Sequence, residues 1–127
     1  AKSIISCYSI IMYYVIHNLG VAGDIVAESL RDRGLDVGDV RPDDTAVPDH
    51  ALAGKFWSSA QVTSKLCDMF SAKLFDSTTV FVVANAWDIN LKIVDDLNQE
   101  YKTGCQIYYQ KFNNYYSLND ELITGEI

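Results

Sequence analysis

The alternation of apolar and polar positions divides the 127-residue chain into strand-like and helix-like runs. Ser3–Ile16 (SIISCYSIIMYYVI) is rich in β-branched and aromatic residues, which predicts a buried strand within Ser3–Val15. The run is too short to span a bilayer as a helix, which needs about 20 residues. Asn18–Gly20 breaks it. Ala22, Ile25, Val26 and Leu30 then fall on one helical stripe within Val21–Arg33, and Gly34 suits the left-handed position that closes a helix. Leu35, Val37 and Val40 alternate with polar residues as a short second strand. Arg41–Leu52 carries both prolines and reads as a loop of a length that is usually functional or mobile. Ser58 and Gln61 have capping-box spacing. Val62, Leu66, Met69, Phe70 and Leu74 predict a helix over Ser59–Phe75. Thr78–Ala84 is an almost continuous apolar run, the mark of a central strand. Asp88 caps a helix with Ile89, Ile93, Leu97 and Tyr101 on one face, Gly104 closes it, and Cys105–Phe112 is the closing strand. Asn113–Ile127 supplies either a last strand or an arm on a neighbouring subunit.

This order is β-α-β, an inserted helix, then β-α-β, within one α+β domain covering residues 1–127. Two such units interleave into a ferredoxin-like sandwich, an antiparallel four-stranded sheet with both main helices on one face. The other face of that sheet is then open, and an assembly of subunits would cover it.

Charge narrows the partners. The chain has 17 Asp+Glu against 10 Lys+Arg, a net charge of −7, and no basic run. Phosphate backbones are gripped by clustered Lys and Arg, so nucleic acid is not an expected partner. An acidic surface suits a cationic small molecule or a basic protein, and its plainer role is solubility. Cys7, Cys67 and Cys105 are odd in number and widely spaced, as in a cytoplasmic protein with reduced thiols. His17 and His50 are isolated and there is no H-E-x-x-H, so no metal is expected. Neither a basic n-region nor a small-residue cleavage site marks a secretory leader.

No glycine-rich phosphate loop and no G-x-S-x-G elbow occurs. What remains suits a small-molecule site. Lys55, Phe56 and Trp57 join a cation to two aromatic rings directly after the long loop; their plainer role is to anchor it. Asn85 and Trp87 stand where a central strand meets a helix, a common ligand position in α/β folds, and their plainer role is capping and packing. Asp68 lies off the apolar stripe of the inserted helix, and Asp76 at the turn into the central strand. Tyr108 and Tyr109 point to opposite faces of the closing strand, one for the core and one for contact.

Thr79-Val80, Leu91, Glu100, Cys105, Tyr109 and Leu118 resemble, in residue and spacing, the corresponding stretch of the phage-encoded S-adenosylmethionine (SAM) lyases, formerly called SAM hydrolases. Leu30-Arg31, Gly34-Leu35 and Leu52-x-Gly54-x-Phe56 resemble the same family more loosely. The resemblance covers about half the chain. It implies a homotrimer of GlnB/PII-like sandwiches, with active sites between subunits, that removes SAM as a phage counter-defence in the host cytoplasm. SAM is the substrate and no cofactor is required. The methionine carboxylate attacks its own γ-carbon, giving 5′-methylthioadenosine and homoserine lactone. The enzyme's task is to hold that geometry and strip water from charges that cancel in the transition state. The family's acidic residue precedes the central strand, which makes Asp68 and Asp76 the candidates for the catalytic carboxylate. Lys55, Phe56, Trp57, Asn85, Trp87 and Tyr108 are the candidates for substrate binding, with aromatic faces for adenine and sulfonium. Two readings from other classes stand beside this one. The first is a PII-like trimer that senses a nucleotide without chemistry. The second is an acidic inhibitor of a basic host protein.

Overall fold

The computed structural model describes residues 11–17, 21–41, 59–86 and 88–127. Lys55, Phe56, Trp57, Trp87, Cys7, His50, the Ser58 cap and nearly all of the Arg41–Leu52 loop lie outside them.

Five strands form one sheet: β1 Met12–Ile16, β2 Asp36–Val40, β3 Thr79–Val83, β4 Gln106–Lys111 and β5 Asn114–Ser117. Their spatial order is β2-β1-β3-β4-β5. The first three pairings are parallel and only the β4–β5 hairpin is antiparallel. The helices are α1 Ala22–Asp32, α2 Ser59–Ser71 and α3 Asp88–Tyr101.

The expected class, helices packed on a sheet, is present. The expected antiparallel pairing is not, because the sheet is mixed, and the placement of both main helices on one face is corrected with it. Hydrophobic spacing names the elements but leaves pairing open. The strand order decides the faces. The β1-α1-β2 connection steps outward in one direction and β3-α3-β4 in the other, so crossovers of one hand put their helices on opposite faces.

The two cores follow. Tyr13, Val15, Val80 and Val82 pack on Val26, Ala27 and Leu30 of α1. Ile16, Val40, Phe81, Val83 and Ile107 pack on Val62, Leu66 and Phe70 of α2 and Val94 of α3. All five residues of β3 are buried, as a strand covered on both faces requires. Helices thus lie on both faces of the sheet.

Helix ends explain the remaining differences. Leu35 N–H donates to the Leu30 carbonyl and Gly34 N–H to that of Arg31, with Gly34 at φ 82°, the closure its glycine predicts. The inserted helix stops at Ser71 rather than Phe75, because Lys73 takes the same left-handed position at φ 59°. Its N–H bonds Phe70 O, and Leu74 N–H bonds Met69 O. Phe75 is thereby turned back into the core beside Phe70 and Phe81, with ring centroids 4.7 Å from each. Lys102, at φ 53°, closes α3 two residues before Gly104. The buried face of α3 centres on Asn90 and Val94, leaving Ile89 half-exposed. The C-terminal residues fold back on their own chain: Tyr13 Oη donates to Ile127 O at 2.7 Å, and Arg33 pairs with Glu126 at 3.0 Å.

Phe70 is in ring contact with Phe75, Phe81 and Tyr101 and is 1% exposed. Phe70→Ala is expected to cost about 3–5 kcal/mol, read as a lower urea midpoint at unchanged slope.

Candidate functional site

In doubly wound sheets, ligands bind outside the carboxyl ends of the strands, where adjacent strands send their helices to opposite faces. Here that point lies between β1 and β3. His17 directly follows β1 and is 1% exposed. Its N–H bonds the Val40 carbonyl at 3.2 Å, extending the β1–β2 pairing. Its Nε2 lies 2.7 Å from Asp39 Oδ1. Arg31 Nη2 donates to Asp39 Oδ2 at 2.8 Å and to Val37 O at 3.0 Å. The His17 hydrogen bond, reinforced by Arg31, holds the Asp39 carboxyl well below the usual carboxylate range, against the opposing effect of its burial.

Gly23, in the first turn of α1, is where the helix meets this histidine. A Cβ there would sit 2.2 Å from His17 Nδ1, so glycine is required for close approach. Arg41, just past β2, pairs with Asp24 of the same turn at 3.1 Å. The N-cap residue of α1, Val21, supplies no side-chain cap.

Across the crevice, Asn90 in the first turn of α3 donates from Nδ2 to the His17 carbonyl at 3.2 Å. It ties the start of one helix to the end of the neighbouring strand. Its Oδ1 is buried with no hydrogen-bond partner. Asn85, after β3, takes left-handed angles (φ 58°, ψ 32°), which asparagine tolerates best among side-chain-bearing residues. Its N–H donates to Gln110 Oε1 at 2.7 Å.

Of the residues singled out in the sequence, Asn85 lies at this end. Asp76 lies at the opposite, amino end of β3, where its Oδ1 accepts from Thr78 N–H at 2.8 Å and from Thr78 Oγ1 at 2.5 Å. These bonds hold its carboxyl below the ordinary value. Asp76 also lines a cavity of about 470 Å³ with Phe70, Lys73, Phe75, Tyr101 and Lys102. Asp68 is exposed on α2 and does not line that cavity. Tyr108 and Tyr109 face opposite sides of the sheet, and both are partly buried. Tyr108 packs on the α1-side core, while Tyr109 packs on the other and donates to Asp120 Oδ1 at 2.7 Å.

His17, Asp39 and Asn90 carried no motif. Their signal was positional: each stands within two residues of a strand's carboxyl end or a helix start. Burial raises the ordinary pKa of the Cys105 thiol, which suits an inert core residue. Among the described residues, no group of acidic, histidine or cysteine side chains could hold a metal ion, and no helix is long and apolar enough to cross a membrane. Compared with protein-family models, curated proteins and solved structures, the chain matches none.

Two outcomes follow. Gly23→Ala forces the His17 ring aside and is expected to cost about 1–3 kcal/mol, read by thermal unfolding. Asp39 has a lowered folded-state pKa. Its contribution is therefore complete above its unfolded value, about 3.9, and is lost as pH falls towards the folded one. Asp39→Asn is expected to lose stability at pH 7 and to show a flatter acid limb below about pH 4, measured by urea unfolding across pH.

Proposed function

We propose that this domain binds a small polar molecule in the crevice at the carboxyl ends of β1 and β3. One observation carries the reading. The buried Asn90 Oδ1 is left without a partner at the point where the strand order reverses. A buried acceptor without a donor costs about 1–3 kcal/mol, and a ligand donor would recover that cost. The left-handed Asn85 beside the crevice supports the same reading, since backbone strain gathers at binding sites. Titration of ¹⁵N-labelled protein with nucleosides, amino acids and sugars tests it. Shifts centred on His17, Gly23, Asn85 and Asn90 are expected. Shifts confined to Lys73, Ser77 and Thr103 would move the site to the other pole.

A second reading is cleavage of SAM to methylthioadenosine and homoserine lactone, with the protein as a lyase that needs no cofactor. The amino-end cavity favours it. An ionised Asp76, three aromatic rings and two lysines answer to the ammonium, adenine and carboxylate of the substrate. The Thr78 bonds to Asp76 weigh against it, because they already occupy one carboxylate oxygen. The mixed sheet, with its three parallel pairings, weighs against it too, because the family resemblance implies an antiparallel one. If the reading is right, purified protein releases methylthioadenosine from SAM, followed by chromatography, and Asp76→Asn lowers the rate at least tenfold. Light scattering would show the homotrimer that this reading carries. Absence of product at high protein concentration removes the lyase and leaves the crevice proposal standing.

A further inference from the structure

A groove separate from the crevice opens between α1 and the β4–β5 hairpin. Its volume is about 270 Å³, and Ile25, Val26 and Ser29 of the helix face Phe112, Asn113 and Tyr115 of the hairpin across it. That is just below the roughly 300 Å³ at which sites for drug-sized molecules begin, so the groove suits a single ring.

The hairpin wall carries a bulky residue on a backbone that disfavours it. Lys111 pairs with Asn114, which leaves Phe112 and Asn113 as a two-residue turn. Phe112 takes left-handed angles, at φ 56°. Hairpin turns normally give such a position to glycine or asparagine, and a bulky side chain there is an outlier. Gln110 fixes the turn: its Nε2 donates to the Phe112 carbonyl and its Oε1 accepts from Asn85 N–H. The Phe112 side chain is 81% exposed, so packing on its own chain does little to offset the strain. Strain of this kind gathers at ligand clamps.

The rest of the lining mixes apolar and hydroxyl chemistry. Ile25, 62% exposed, and buried Val26 supply an apolar side. The Tyr115 hydroxyl is hydrogen-bonded to Ser29, and hydroxyls in such a pair keep capacity for a further bond. The Asn113 carboxamide offers both donor and acceptor atoms. A pyranose matches this mixture. One face of its ring carries C–H bonds that stack on an aromatic ring, and its edge carries hydroxyls that both donate and accept.

We propose that this groove binds a single sugar ring, with Phe112 against its C–H face and Ser29, Asn113 and Tyr115 bonding its hydroxyls. The site does not depend on the crevice proposal.

Methyl glucoside, methyl galactoside, methyl mannoside and N-acetylglucosamine are the probes, with indole as a ring that lacks hydroxyls. Titration of the ¹⁵N-labelled chain reads both affinity and place. At least one sugar is expected to bind more tightly than indole, with shifts centred on Ile25, Ser29, Asn113 and Tyr115. Phe112→Gly relieves the left-handed backbone. It is expected to leave the thermal midpoint equal or higher and to weaken that sugar at least tenfold. Sugar affinity unchanged in Phe112→Gly overturns the inference. Indole binding in the groove more tightly than every sugar overturns it, as does the absence of sugar shifts there. Sugar shifts centred on His17, Gly23 and Asn90 instead overturn it while supporting the crevice proposal.

Discussion

The parallel pairing of β1 with β3 is the constraint on which the rest of this structure depends. In register, Met12 to Ile16 lie beside Thr79 to Val83, and both strands are buried between helices. Because β1 leads outward to β2 and β3 outward to β4, their helices must lie on opposite faces, and the two chain paths diverge above the same two strand ends. The crevice is thus a consequence of strand order. No side chain has to be spent on opening it, and those that line it are free to differ in chemistry.

Two interactions then fix the walls. The Asn90–His17 hydrogen bond crosses from the start of α3 to the end of β1. The His17–Asp39–Arg31 chain runs from β1 through β2 back to α1. Both pass through His17, whose ring has room only because residue 23 lacks a Cβ. A buried histidine held this way orients its neighbours more than it offers itself to solvent. The chemistry exposed to a ligand therefore rests with what surrounds it. Polar networks of this kind fix a single arrangement when every member is satisfied, and here one atom, Asn90 Oδ1, is not.

Much of the fold was legible in the sequence. The β-branched runs of β1 and β3, the stripe of α1 and the Gly34 closure all rest on local patterns that tertiary context reinforces. What was illegible had physical reasons. Pairing direction depends on contacts far apart in the chain, so one order of elements fits both an antiparallel sandwich and a doubly wound sheet. The end of α2 was placed too late, and α3 closes ahead of Gly104, because Lys73 and Lys102 take left-handed positions that lysine does not advertise. Of the candidate site, Asn85 could be placed because strand ends announce themselves. Asn90 and Asp39 could not, because each looks like an ordinary polar residue until a distant element closes on it.

The two poles of the sheet can be weighed on the same footing. At the amino end, Lys73 and Lys102 follow the ends of α2 and α3, where a cation offsets the negative end of the helix dipole. Asp76 is occupied in organising the turn that delivers Phe75 and Thr79 to the core. Each charged group there has a structural task, so a cavity between them follows from helix closure alone. At the carboxyl end the accounting differs. Asn85 adopts a strained conformation that no helix closure requires, and Asn90 leaves a buried oxygen unmet. A left-handed backbone and an unmet buried acceptor, gathered at the point where strand order reverses, are the stronger ground for placing function at that pole.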